Sequence, residues 1–496
     1  GQGGFPRHAA VNGYGTFRFN GWKREASNKW RETFEVDAGL NGDVELALVR
    51  RMIDVIRLHY QGDFNWESKR LWLTGFEEEN RNVKFIGEGR SAEDVSEFMR
   101  RLQFSLYFQN VRLDRTEEAA TTAGPSDPRA TTATRVVHQN LRAFDFQSGD
   151  PFDHRVLLGQ QEPDVSNRAS YGGGPVRSDV EALGGRLPAV VSYELSNVTR
   201  GSTTPFDRAA FAAGRGALRE LVLDKHRQGI LTSFVWHLRC PKARVTDPDR
   251  FAPADCPPDM RMEELLERKA DGTRGAHFDA WRGMLDELAE LLWSLKDERG
   301  ELVPVLVRPF HEHTGGWFWW GRDNAPDVYA RVWREMVTYL RDGRGLHSAL
   351  WVYCPAAPSE RSLRGMESYY PGDAYVDVVA FDRYDLGDGS FARGYAADLD
   401  LVGTFARRHG KLAAVAEIGR DLLHLPADPT WFTRAMLAPL EGRSFAYVGL
   451  WRNAPWEKFV PEPGDGALAD DFRRMATDPR VLASGRHDLY RPLHAR

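Results

Sequence analysis

VPVLVRPFHE (303–312) is an apolar run that ends on charge: Val303, Val305, Leu306 and Val307 lead into Arg308, and the run closes on His311 and Glu312. A run of this length that is apolar nearly throughout is the pattern of a strand buried on both faces. Seven further runs share it: RVLLGQ (155–160), PAVVSYEL (188–195), ILTSFVWHL (230–238), ALWVYCP (349–355), VDVVAFDRYD (376–385), LAAVAEIG (412–419) and FAYVGLWRN (445–453). Between them lie amphipathic stretches such as FDAWRGMLDELAELLWSLKDE (278–298), where Trp281, Met284, Leu285, Leu288, Leu291 and Leu292 recur at helical spacing, and DVYARVWREMVTYLRD (327–342). Eight alternations of strand and helix predict an α/β fold closed as a (β/α)8 TIM barrel, because an open sheet would need a reversal of strand order.

The polar residues of these runs gather at their C-terminal ends: His237, Glu312, Asp382 with Tyr384, Glu417, and Trp451 with Arg452. That is the face of such a barrel where chemistry is done. Glu312 and Glu417 end the fourth and seventh strands, which puts two carboxyls across the barrel mouth from one another. Cleavage of a glycosidic bond with retention needs a nucleophilic carboxylate and a second carboxyl as acid and then base, about 5–5.5 Å apart. Alternation back from Glu312 places Phe310, Arg308 and Leu306 on one side of the strand, so Arg308 points into the barrel. A buried guanidinium needs a carboxylate partner, and Glu417 is the candidate, with Tyr384 placed to donate to the same group. Glu312 has His311 and the tryptophan-rich turn around it, a drier setting that raises a carboxyl pKa. The expected roles are therefore Glu312 as acid/base, Glu417 as nucleophile and Arg308 as support. Trp317, Trp319, Trp320 and Trp451 offer flat faces to sugar rings, with Gly315–Gly316 letting the turn carry them. The pair His311 and His313 would share one strand face, but no third metal ligand accompanies it. No metal and no cofactor are expected.

RPFHEHTGGWFWWG (308–321), with VWHL (235–238), FDRYD (381–385), AEIG (416–419) and LWRN (450–453), resembles glycoside hydrolase family 26, whose best-known members are β-1,4-mannanases. The resemblance covers roughly Arg155 to Pro492. It implies a retaining double displacement with Glu312 as acid/base and Glu417 as nucleophile. It also implies His311 beside the acid, His237 and Trp317 near the point of cleavage, Tyr384 in contact with the nucleophile, Asp382 as the acid preceding it, Trp451 as a platform and Arg452 as a distal sugar contact. Two departures stand out: Glu194 replaces the usual Asp late in strand two, and the segment from Cys240 to His277 is long. The substrate this implies is a mannan-type polysaccharide. Xylan- and mixed-linkage glucan-cleaving enzymes share the family, and a glycan-binding or pilus-associated adaptor without activity remains an alternative.

The Thr-, Ala- and Pro-rich segment TEEAATTAGPSDPRATTATR (116–135) reads as a linker between an accessory domain, 1–115, and a catalytic domain, 136–496. In the accessory domain FRFNGWK (17–23), WRETFEVDAG (30–39) and KRLWLTGFEEENRNVKFIGEG (69–89) suggest strands, and SAEDVSEFMRRLQFS (91–105) a helix capped by Ser91. Residues 83–115 resemble the small α/β domain of PilN-type pilus-assembly proteins. A β-rich carbohydrate-binding domain is the rival, with Trp22, Trp30, Trp66 and Trp72 as core or platforms; its partner is unknown. A net charge of −5 gives no electrostatic basis for nucleic-acid binding, and no apolar run is long enough for a membrane span. The first residues lack the regions of a signal peptide, as a mature secreted chain also would, and a secreted, periplasmic or cell-surface protein is expected. Cys240 and Cys256 flank one loop and could pair, while Cys354 reads as packing.

Overall fold

The computed structural model describes residues 124–492 except 146–154, 165–177, 197, 200–204, 242–255, 257–259, 322–323, 361–364 and 485–487, together with the strands of the first ninety residues. The chain divides into two compact units, Gly1–Glu117 and Glu118–Arg496. In the first, Arg7–Val11, Tyr14–Trp22 and Lys29–Asp37 form one antiparallel sheet, and Trp66–Glu67, Leu71–Glu79 and Asn82–Gly89 form another. The helix expected over 91–105 lies outside the described residues, as does the first part of the expected linker.

The second unit is the barrel. Its strands are β1 (Val156–Gln161), β2 (Val190–Glu194), β3 (Leu231–Trp236), β4 (Val305–Pro309), β5 (Ala349–Tyr353), β6 (Val378–Asp385), β7 (Leu412–Arg420) and β8 (Tyr447–Leu450). Each pairs in parallel with its neighbours in chain order, and β8 pairs with β1 from Tyr447↔Leu157 to Leu450↔Gln160, which closes the ring. All eight runs marked in the sequence are strands.

Alternation along the strands divides the apolar residues into two layers. Leu157, Leu231, Leu306, Leu350, Val378, Ala380, Leu412 and Ala414 fill the interior, while Leu158, Val191, Val305, Val307, Val379, Phe381 and Val415 pack outward under the helices. The helix Phe278–Ser294 buries all six residues expected of it. A helix at Thr132–Asp145 sends Val137 and Leu141 into the interior cluster and floors the barrel. The expected linker is corrected here. Its second half belongs to the barrel unit, with Thr131 N donating to His347 O at 3.1 Å and Ser126 N to the Asp377 carboxylate at 2.5 Å.

Cys240 and Cys256 form a disulfide, with Cα atoms 5.7 Å apart and 16 residues of separation. Closing a loop of that length in the unfolded chain is worth about 3 kcal/mol in the chain-entropy account. The double variant Cys240→Ala/Cys256→Ala is therefore expected to lose stability of that order in denaturant unfolding, and an unchanged midpoint would show that the bridge restrains nothing.

Among the described residues, four that are not glycine have positive φ: Glu162 (45°), Phe310 (47°), Glu312 (54°) and Ala357 (37°). Such a backbone is costly for a side chain with a Cβ. All four follow the C-terminal ends of β1, β4 or β5, so the strain collects at one face of the barrel, where functional sites hold it.

Candidate active site

Strict alternation along β7 would put Leu412, Ala414 and Ala416 inside and Glu417 outside. The pairing with β6 breaks that pattern: Phe381 stands opposite Val415, but Asp382 stands opposite Glu417. β8 shows the same extra residue, with Val415↔Val448 followed by Ile418↔Leu450. This is a bulge at Ala416–Glu417, and a bulge re-aims the side chain that follows it. Ala416 still faces the interior and Val415 and Ile418 the helices, while Glu417 turns inward.

Arg308, fully buried, receives it. Its Nη2 donates to Glu417 Oε1, and its Nη1 to Asp382 Oδ2 at 2.6 Å. The Tyr384 hydroxyl donates to the other Glu417 oxygen at 2.6 Å. Both carboxylate oxygens are thus held in one orientation, as expected of Arg308 and Tyr384. For Asp382 the sequence left a substrate contact and a structural place beside an arginine equally open; its side chain is wholly buried beneath Arg308 and also accepts from Cys354 Sγ at 3.2 Å, so it orients the arginine and does not reach the substrate. His311, Asp382 and Glu417 bring donor atoms within 4.8 Å of one another, but the guanidinium already supplies the positive charge between the two acids.

At β4 the strand ends at Pro309, and Phe310 does not continue the alternation. Its positive φ turns the ring outward, against Trp281, Trp320, Tyr329 and Trp333, rather than onto the Arg308 side as the sequence suggested. The chain doubles back so that His311 and Glu312 both reach the cleft. His313 does not share a face with His311. It packs among Tyr329, Tyr353 and Tyr369, with Nε2 2.9 Å from the Tyr353 hydroxyl.

Burial pushes the Glu312 carboxyl up to about 7, the nearby Glu417 charge adds to the rise, and Trp317 and Arg308 oppose it. The Trp317 indole donates to Glu312 Oε2 at 2.5 Å. A Cβ on Gly315 would fall 2.4 Å from the Trp317 ring, so the glycine is there for close approach. Trp317 is the exposed aromatic of this turn. Trp319 and Trp320, expected as platforms, are buried instead, their indoles donating to Leu238 O and His311 O at 2.8 Å. They brace the turn.

Across the mouth, Glu194 at the end of β2 contacts His237 twice, its Oε1 accepting from the backbone N at 3.1 Å and its Oε2 lying 2.5 Å from Nδ1. Burial disfavours a charged His237 ring, but the Glu194 charge and hydrogen bond outweigh it and the pKa is raised. Burial holds His311 well below the usual range, so this ring, 4.5 Å from that of His237, is neutral. Trp451 packs its edge near both His237 and Tyr384, with centroids 6.3 and 6.4 Å away. Arg452 bonds Glu162 Oε2 at 2.5 Å and Glu457 Oε1 at 3.0 Å and keeps a quarter of its side chain exposed. Glu162, Glu194 as the partner of His237, Phe318 and Phe459 were not singled out in the sequence. The Glu194 departure in strand two was the one usable signal.

Because the folded pKa of His237 is raised, the stability gained from its pairing is full below the ordinary histidine range and is lost as pH climbs through the raised value. Glu194→Gln is expected to move the His237 titration, followed by NMR, to lower pH and to cut kcat/KM about tenfold, the worth of one charge-assisted hydrogen bond. An unmoved titration would remove Glu194 from this role.

With this geometry in place, the comparisons with known proteins can be stated. The sequence profile described as Glycosyl hydrolase family 26 matches residues 127–417. A second, Fimbrial assembly protein (PilN), matches residues 68–143, and its end overlaps the helix that floors the barrel. A mannan endo-1,4-beta-mannosidase of Bifidobacterium adolescentis is 29% identical over 305 residues, covering 60% of this chain and 28% of that protein. The mannan endo-1,4-beta-mannosidase A and B of Caldalkalibacillus mannanilyticus is 36% identical over 316 residues, 62% of this chain and 55% of that protein. The chain thus spans little more than half, or less, of the length of these relatives. The structure of a GH26 beta-mannanase from Bacteroides ovatus superposes with a TM-score of 0.60 at 27% identity, covering 74% of this chain and 99% of that one.

Proposed function

The chain belongs to glycosyl hydrolase family 26, and from that premise we propose that it cleaves β-1,4-mannosidic linkages in mannan-type polysaccharides by a retaining double displacement. One observation carries the reading: Glu417 is held through both oxygens by Arg308 and Tyr384, while Glu312 takes its proton up to about 7 under the Trp317 indole. The two carboxyls differ in environment as nucleophile and acid must. Protonated Glu312 delivers its proton to the glycosidic oxygen as Glu417 attacks the anomeric carbon. The bond to the departing sugar breaks, and a glycosyl ester forms on Glu417. Glu312, now a carboxylate, takes a proton from water, and that water attacks the anomeric carbon, breaking its bond to Glu417 and freeing the carboxylate. Arg308 and Tyr384 aim the nucleophile, and neutral His311 lines the pocket without competing for the proton. His237, Trp317, Trp451 and Arg452 contact the sugars.

The names borne by the relatives support mannan as the substrate. The Cys240–Cys256 bridge supports a working place in an oxidising compartment, outside the cytoplasm. Release of reducing ends from mannan, glucomannan, xylan and mixed-linkage glucan tests the substrate, with mannan expected to be cleaved fastest. Faster cleavage of xylan or glucan overturns that part alone. NMR of the first product tests the stereochemistry, and an α-configured sugar overturns the mechanism.

A further inference from the structure

The segment after β8 carries one more tryptophan than the site described above uses. Trp456 exposes 55% of its surface, the most of any tryptophan among the described residues. A single exposed tryptophan is ordinary on a protein surface, but this one is mounted. Ala454 and Glu457 pair as an antiparallel bridge, with Ala454 N donating to Glu457 O at 2.9 Å and Glu457 N to Ala454 O at 3.2 Å, so Pro455 and Trp456 form the tip of a tight hairpin. Below the tip, buried Asn453 ties the two stems together, its Nδ2 donating to Val460 O at 2.8 Å and its Oδ1 accepting from Phe459 N at 2.8 Å and Val460 N at 3.0 Å.

The stems also fix the hairpin to the cleft. Glu457 accepts from Arg452, which reaches over to Glu162 beyond β1. Phe459 packs edge-on against Tyr384 at 5.6 Å, and Tyr384 is the residue that holds Glu417. Gly419 on β7 leaves the room, since a Cβ there would lie 2.4 Å from the Phe459 ring. The tip therefore stands on the rim of the catalytic face, three residues from a side chain in contact with the nucleophile's own hydrogen-bond partner.

Its side of the cleft follows from the acid. Trp317, on the loop after β4, touches Glu312, the group that protonates the departing sugar, so the leaving group lies toward β4. The hairpin follows β8, four strands round the ring, on the other side of the scissile bond. We infer that Trp456 is a platform for a distal β-linked sugar of the retained, glycone portion of the chain, beyond Trp451 and Arg452. A rigid indole offers a broad flat face to the C–H side of a pyranose at small entropic cost, and the pinned hairpin removes most of what ordering would remain.

The inference rests on the reading under Proposed function and is tested apart from it with aryl β-mannosides of one leaving group and a glycone lengthening from mannobioside to mannopentaoside. In the wild type, kcat/KM is expected to rise about tenfold at the length that reaches Trp456, the worth of one aromatic contact. Trp456→Ala loses that step, and Trp456→Phe regains most of it. Trp293→Ala, which removes another exposed indole on a barrel helix, retains it. Each profile is a ratio within one preparation, so incomplete folding does not imitate the effect. A Trp456→Ala length profile that overlays the wild type overturns the inference. Where the wild type cleaves none of these glycosides, the mannanase reading fails, and calorimetric titration of mannohexaose then decides Trp456: weaker binding by Trp456→Ala sustains the platform, and equal or absent binding in both proteins overturns it.

Discussion

Glu417→Gln is expected to lower mannan hydrolysis by roughly 10⁴- to 10⁶-fold, the scale on which loss of a catalytic nucleophile is felt. The substitution keeps the volume and removes the charge. An amide can accept from only one of its two donors, so either Arg308 or Tyr384 then faces an N–H instead of an oxygen. An amide is not a nucleophile toward the anomeric carbon, so no ester forms. Arg308 retains Asp382 as a partner, which keeps the barrel folded. Reducing-sugar release measures the loss. A 2-fluoro-mannoside with a good leaving group traps the covalent intermediate, and mass spectrometry of a digest should find the label on Glu417 of the wild type and nowhere in the variant. More than a tenth of the activity remaining, or a label on another residue, would end the assignment.

Glu312→Ala is expected to cost about 10²–10⁴ in kcat on mannan, the range of general acid–base catalysis. The loss depends on the departing group. An aryl mannoside with an acidic phenol needs no proton to leave, so its glycosylation step should be nearly preserved while the ester on Glu417 accumulates. Added azide, which needs no base, should then restore turnover and give a β-mannosyl azide. The pH profile gives an independent reading. With its proton held to about pH 7, Glu312 sets the alkaline limb of the wild type, activity falling as pH rises past that value, and the variant should lack this limb. The same carboxyl sets a pH dependence of stability. Its folded pKa is raised, so burial costs little below the unfolded value near 4.5, and the cost grows as pH rises through about 7. Relative to wild type, Glu312→Ala should therefore be more stable at alkaline pH than at acid pH in thermal unfolding.

The barrel and both carboxyls could be read from residue order, because a strand buried on both faces is an unmistakable apolar run and its C-terminal end is where polar residues are tolerated. The Arg308–Glu417 pair followed from the cost of burying a guanidinium alone. Other features depend on quantities that residue identity does not carry. Phe310 turns outward because its φ is positive, and nothing in the string RPFHE announces that. Trp319 and Trp320 differ from Trp317 in burial, which is decided by Leu238 O and His311 O, groups supplied by the surrounding fold. Glu162 meets Arg452 across 290 residues of chain, a pairing that only the closure of β8 on β1 creates.

The bulge on β7 means that catalysis here depends on phase as well as on composition. Were β7 to alternate regularly through Ala416 and Glu417, the strand would be back in step with every acid, arginine and tyrosine of the site still present. Glu417 would then face out beside Val415 and the helices, where it has no counter-charge, and Arg308 would be left facing Asp382 alone. The extra residue is what lets neighbouring Ala416 and Glu417 face the same way, and an inventory of side chains does not register it.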